Sequence, residues 1–273
     1  MPSIERNVDH WNSYGWHLEG DEWSRVWGGP DYQWWGVIFP RLLEFLPTGT
    51  LLEIAPGHGR WTRYLVHLAE RYIGVDVTPN CVETCRDLFA DHSHATFHLN
   101  DGVSLEAVEN DSIDFAFTFD SLVHADKEVM KGYVQELSRK LTPDGVGFIH
   151  HSNLGQFLDP ETGQPPFENL CWRGNTAASE FARYCARAGL VCIGQELINW
   201  DSENLIDCFS MITRPGSRFE RPNRVRENPY FAAEASALKE IAKFYGPSDF
   251  PGVEPTPASE RAARLLAGEG DAP

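Results

Sequence analysis

Ten histidines are spread along this chain of 273 residues, and three stand where they could take a proton from a bound molecule. His124 follows the apolar run Ile113 to Phe119, four residues after Asp120, while His150 and His151 end a second run that starts at Val146. A neutral imidazole is the usual general base near neutral pH, and a hydroxyl attacks well only as its proton leaves. Adjacent strand residues face opposite sides, so at most one of His150 and His151 can line a pocket. The expected base is His124, with His151 as the other candidate and Asp120 orienting the imidazole or binding the acceptor.

A second group of residues is suited to hold a nucleoside. Leu51, Leu52 and Ile54 form an apolar strand that carries Glu53 and runs into Ala55-Pro56-Gly57-His58-Gly59. Gly57 and Gly59 let the backbone approach a ligand closely, because no Cβ intervenes and positive φ costs little. Nineteen residues after Gly57, the run Tyr72 to Val75 ends in Asp76, placed to accept two ribose hydroxyls. A pyrophosphate site would place glycine at position 55 and a slim helix start, which Ala55 and Arg60-Trp61-Thr62 do not provide. Glu53 repels phosphate and suits a ligand bearing an ammonium and a sulfonium. This stretch resembles the first motif of the class I S-adenosylmethionine (SAM)-dependent methyltransferases: apolar strand, acidic residue, Gly-x-Gly turn. The resemblance spans about residues 40–213. It implies SAM as cofactor, contacted by Glu53, Gly57, Gly59 and Asp76, with the turn Asp101-Gly102 at the adenine.

The elements that position these groups alternate along the chain. Thr78-Pro79 opens a helix with Val82, Cys85 and Phe89 inward. Thr96 to Leu99 and Ile113 to Phe119 read as the third and fourth strands, and a helix with Val129, Met130, Tyr133, Val134, Leu137 and Leu141 at helical spacing follows. Pro143-Asp144-Gly145 turns into a fifth strand, and Asn175 or Thr176 starts a helix stopped by Gly189. Leu190 to Ile198 and Leu205 to Thr213 can pair as an antiparallel hairpin. The expected fold is α/β: one doubly wound, Rossmann-like, seven-stranded sheet with a terminal hairpin and helical extensions. Its carboxyl edge, where such sheets bind ligands, receives Asp76, Asp101, Asp120 and His124.

The division expected is an aromatic segment (1–39), a SAM-binding domain (40–213) and a C-terminal extension (214–273). Six of the nine tryptophans lie in the first 35 residues, among Tyr14, Glu19 and other polar groups. Rings that cover the apolar face of a pyranose and carboxylates that bind its hydroxyls suit a carbohydrate; packing as a lid over SAM is the plainer alternative. Tyr14, Glu19, Trp23, Trp27, Trp34 and Asn153 are the expected acceptor contacts. In the extension, Asn228 to Tyr245 has a helical pattern, and the stretch beyond Gly246 reads as a weakly packed tail or partner contact.

A net charge of −17 opposes nucleic acid or an acidic membrane surface as partner. Six scattered cysteines without a Cys-x-x-Cys pair, a start without signal-peptide character and no membrane-length apolar run lead to the expectation of a cytoplasmic protein; a homodimer is left open.

The stretches Asp21 to Ser24 with Trp27-Gly28-Gly29, Leu51 to Trp61, Phe119 to His124 and His150 to Gly155 are together similar to bacterial sugar and polysaccharide O-methyltransferases. That resemblance implies O-methylation of a saccharide hydroxyl, with a mannoside among the acceptors. Some such enzymes use Mg²⁺, for which Asp120, Asn153 and Asp201 could supply oxygen ligands at the sheet edge. A non-sugar small molecule, such as a natural-product intermediate, is the main alternative acceptor. A nicotinamide-dependent oxidoreductase is disfavoured by Glu53 and the glycine spacing, and a non-catalytic SAM binder by His124 and His151.

Overall fold

Strand β1 (Thr48–Ile54) sends Leu51 to one side of a sheet and Leu52 and Glu53 to positions that alternate after it, and every residue from Leu51 to Ile54 is buried. Burial on both faces is the mark of a central parallel strand covered by helices. The computed structural model describes residues 3–167, 172–200 and 202–245. Around β1 lie β2 (Ala69–Asp76), β3 (Ala95–Leu99), β4 (Ile113–Thr118), β5 (Leu141–Ser152), β6 (Val191–Ile198), β7 (Asp207–Thr213) and β8 (Val225–Asn228), in the spatial order β3-β2-β1-β4-β5-β7-β6-β8. The first five are parallel, β7 runs antiparallel to β5 and β6, and β8 pairs parallel to β6. Chain order reverses between β1 and β4, which opens a crevice at their carboxyl ends.

The doubly wound sheet and its antiparallel pair are as expected, with one strand more. Val225–Asn228 extends the edge because Asn228 bonds Glu196 on β6 at 2.8 Å, and Glu196 in turn holds Arg41 at 2.8 and 2.9 Å. Two apolar layers sandwich the sheet. Leu51, Tyr72, Phe115, Phe117 and Phe148 pack on one face, and Leu52, Ile73, Ile113, Ala116 and Ile149 on the other.

Local departures have local causes. The helix after Gly59 is a single turn, Thr62–Leu65, before a 3₁₀ segment. The helix expected from Asn175 begins at Ala178 instead, because the Asn175 side chain accepts from Lys127 N (3.0 Å) and so serves the start of the helix Lys127–Lys140. The aromatic segment is helical in part: Ile4–Ser13 is an α-helix, Asp21–Trp27 a 3₁₀ helix, and Pro30 to Leu42 nearly continuous helix. The C-terminal helix Phe231–Tyr245 lies across Gly28, where a Cβ would stand 2.3 Å from Ala242 Cβ. The tail expected beyond Gly246 falls outside the described residues. Five described cysteines are free and buried, and no described helix is long and apolar enough to cross a membrane.

Candidate active site

The turn after β1 is built by backbone strain that only a few residues tolerate. Ala55 takes φ 59° while its N–H donates to Val75 O (2.7 Å), and Gly57 and Gly59 follow at φ 60° and 85°. The two glycines do different things. Gly57 lines the cavity beneath Trp16, whose ring would lie 3.1 Å from an added Cβ; Gly59 faces away, where a Cβ would meet Phe89 at 2.6 Å. Gly57 N donates to Asp76 Oδ2 (3.1 Å) and Thr78 N to Asp76 Oδ1 (2.8 Å). Each Asp76 oxygen keeps a further lone pair for a ligand. Burial pushes its carboxyl up to about 6, against those backbone donors.

Glu53 and Asp101 are placed otherwise than expected. Glu53 lies below the turn and does not line the cavity: it accepts from Thr62 Oγ1 (2.8 Å) and from Tyr72 OH, and burial raises its pKa to about 7. Asp101 is exposed and caps its own loop, accepting from Val103 N (2.9 Å) and Ser104 N (2.6 Å); these donors lower its pKa. Gly102 and the unforeseen Tyr133 line the cavity at that end.

Over the crevice lies the aromatic segment. The resulting cavity holds about 570 Å³, within the range of small-molecule sites. Tyr14 stacks on Trp23 at 5.2 Å and Trp11 meets Trp23 edge-on at 5.6 Å. Trp16 lies flat on His58 at 4.1 Å, and Glu19 pairs with His58 Nδ1 at 2.6 Å. Glu19, Trp23 and Trp27 line the cavity. Tyr14 does not: its hydroxyl is spent on Glu22 (2.8 Å), and burial with that carboxylate raises its pKa to about 12. Trp34 is core rather than acceptor contact, fully buried and stacked on Tyr64 at 4.9 Å.

The histidines separate clearly. His124 lines the cavity, and its Nδ1 lies 3.0 Å from Trp172 O. A carbonyl can only accept, so Nδ1 carries the proton and Nε2 the free lone pair. Burial and the nearby Arg173 cation lower its pKa to about 4, outweighing Asp120 and Asp207. His151 points into the opposite layer, stacked on Phe181 at 4.1 Å and bonded to Ser210 Oγ (2.8 Å), so it cannot meet an acceptor. His150 is also buried, between the Asp120 amide (2.9 Å) and Asp207 (3.2 Å). Asp120 lines the cavity and pairs with Arg60 at 3.0 Å.

Of the oxygen ligands expected for Mg²⁺, Asp120 lines the cavity and Asn153 does not. Asn153 is buried away from the cavity, with its amide spent on Leu205 O (2.8 Å) and Ala178 N (2.8 Å). Asp201 lies outside the described residues, and no group of three His, Cys, Asp or Glu among those described could hold a metal. Sequence reasoning missed Arg60, His58, Trp172 and Arg173. One backbone signal collects the site: of five non-glycine residues at positive φ among those described, Glu19, Ala55, Asp120 and Trp172 line this cavity. Such strain tends to gather at functional sites.

Residues 51–145, about a third of the chain, match the family model described as methyltransferase domain. No curated protein matches the chain. Among solved structures, the fold is similar to the N-methyltransferase NodS from Bradyrhizobium japonicum, in complex with S-adenosyl-L-homocysteine: TM-score 0.54, 14% identity, covering 78% of this chain and 98% of that one. A protein from Pyrococcus horikoshii gives TM-score 0.53 at 15% identity over 76% and 98%, and a SAM-dependent methyltransferase from Mesorhizobium loti gives 0.50 at 14% over 64% and 97%. At such identities the structures speak for the fold. Residues 51–145 therefore carry a methyltransferase domain within a fold of the class I methyltransferase type, and SAM is the methyl donor. The Gly57 cradle, the Asp76 carboxylate and the size of the cavity fit that cofactor.

Proposed function

We propose that the protein is a SAM-dependent O-methyltransferase acting on a saccharide hydroxyl, with His124 as the proton acceptor. SAM supplies an electrophilic methyl group and leaves as a neutral thioether, so the acceptor needs a base and no acid is required. The observation that carries the reading is the state of His124: neutral, held by Trp172 O at Nδ1, with its basic nitrogen left free in a cavity of tryptophans and carboxylates. Trp11, Trp23, Trp27 and Trp200 offer flat apolar faces, and Glu19, Glu22 and Asp120 offer oxygen acceptors for hydroxyls. Gly57, Gly102 and Asp76 hold the cofactor end, with Asp76 on the ribose.

A screen with methyl-labelled SAM tests this directly. Mannosides, other hexosides, phenols and small amines are offered in parallel, and mass spectrometry locates the new methyl group. Methylation of a saccharide oxygen is the expected result. Turnover confined to amines or phenols overturns the acceptor assignment, and chelator-sensitive turnover overturns a histidine-centred proton transfer.

A further inference from the structure

Three consecutive residues meet His124, its neighbour Val123 and the buried Asp207. Trp172 O accepts from His124, Gly174 N donates to Val123 O (2.7 Å), and Arg173 grips Asp207 through Nε (2.9 Å) and Nη2 (2.7 Å). Gly174 must be glycine for this fit, because a Cβ there would stand 1.9 Å from Ala125 O. The Arg173–Asp207 pair is nearly solvent-free, with exposures of 3% and 0%. A buried ion pair is costly to desolvate and adds little net stability, so another role for it is worth asking for.

From Asp207 the connections lead back into the cavity. His150 Nε2 is 3.2 Å from Asp207 Oδ2, and the Asp120 N–H donates to His150 Nδ1 at 2.9 Å. An N–H donor on Nδ1 forces that nitrogen to be the acceptor, so the other must carry the proton toward the carboxylate. Asp120 sits at φ 57°, a conformation that is costly for a non-glycine residue and persists only when its surroundings dictate it. We propose that Arg173, Asp207 and His150 are positioning residues, acting in series to hold the Asp120 backbone so that its carboxylate faces the acceptor. Arg173 orients Asp207, Asp207 fixes the His150 tautomer, and His150 captures the strained amide. This rests on the reading of Asp120 and His124 as acceptor-side groups.

The two amide replacements of His150 separate positioning from plain structural support. Asparagine places a carbonyl oxygen where Nδ1 stands, keeping the acceptor for Asp120 and losing Asp207. Glutamine reaches toward Asp207 and loses the acceptor for Asp120. Hydrogen exchange at the Asp120 amide needs no acceptor: protection is expected in wild type and His150→Asn, and its loss in His150→Gln. With labelled SAM and methyl α-mannoside as probe, kcat should fall about tenfold to a hundredfold in His150→Gln, the scale of a small misplacement, and recover in His150→Asn at unchanged SAM affinity. The effect should vanish in an Asp120→Ala background. Better protection in His150→Gln than in His150→Asn, or losses that add to that of Asp120→Ala, overturn the proposal. Should wild type not turn over the mannoside, the exchange result still decides here, and only the acceptor assignment fails. Should both variants fail to fold, ¹⁵N spectra of wild-type His150 decide: a protonated Nδ1 overturns the series.

Discussion

The cofactor and acceptor halves that the proposed function assigns to the cavity are made in different ways. The cofactor half is local: the β1 turn and Asp76 sit at the ends of neighbouring strands, with Ile54 opposite Val75 in register, and backbone amides bind Asp76 directly. The acceptor half brings together side chains from the aromatic segment, the loop after β4, Trp172–Arg173 and Trp200. Its geometry rests on contacts between segments far apart in sequence, such as Asn7 Nδ2 to His124 O (3.2 Å) and the Arg6 guanidinium 4.5 Å over Trp172. A site divided this way should respond in two ways to damage: chemistry lost with SAM bound, or SAM lost.

Removing residues 1–20 is the severest way to test that division. The cut must stop there, because Asp21 is buried against Arg63 (2.9 Å) and Trp27 packs on Trp200 at 4.9 Å. Turnover should disappear while the sheet stays folded and calorimetry still detects SAM binding, weakened where Trp16 and Ile4 cover Gly57 and Gly102. Retained turnover in a folded truncation would show that residues 1–20 are no part of the acceptor half.

Next in size comes His124→Ala, which should lower kcat by at least about a hundredfold, the usual worth of a general base, with SAM affinity near wild type. His151→Ala makes the contrast. It leaves a hole beside Phe181 and removes one of the hydrogen bonds of Ser210, which keeps Gln195 at 3.0 Å, so it should lower the melting temperature and spare the chemistry of the protein that remains folded. A reversed outcome exchanges the roles of the two histidines.

Legibility in the sequence followed the same division. The succession of strands along the chain, the glycine turn and the place of Asp76 at the end of β2 were readable because period, glycine spacing and the distance from Gly57 to Asp76 are short-range signals. Glu53 misled: its position before the turn suggested a ligand contact, but Tyr72 and Thr62 arise from other elements and capture it. Asp101 was drawn off by its own loop amides, which a turn residue always has within reach. Alternation warned that His150 and His151 face opposite ways, and no sequence pattern could say that neither reaches the cavity. Arg60, Trp172 and Arg173 were invisible since their partners lie 34 to 60 positions away.

In the cofactor half, Asp76→Ala removes the ribose contact proposed for it and should weaken SAM binding by about 1.5–3 kcal/mol, as for hydrogen bonds to a charged group. The ring currents around His124 should be unchanged in NMR spectra. Equal SAM affinity in calorimetry excludes Asp76 from the cofactor contacts, and a shifted His124 environment means that the halves are coupled.

The smallest expected effect concerns pH, and its sign follows from the surroundings of His124. Burial and the Arg173 cation both disfavour the imidazolium, and the Asp120 and Asp207 carboxylates only partly offset them, which leaves a pKa of about 4. Only the neutral ring accepts a proton, so kcat/KM should stay flat from neutrality down to about pH 5 and fall with a midpoint near 4, instead of near the ordinary histidine value of about 6.5. Stability carries the same sign. A folded pKa below the unfolded one means that the unfolded chain binds protons more readily, so this contribution is complete above about pH 6.5 and is lost as pH falls toward 4. His151, also lowered to about 4 by burial, adds to the stability loss but not to the rate profile. Replacing His151 by phenylalanine should therefore reduce the acid sensitivity of the melting temperature and leave the acid limb of kcat/KM where it was. An acid limb near 6.5 in both proteins would mean that the base is an exposed group, and the acceptor half would have to be rebuilt around another residue.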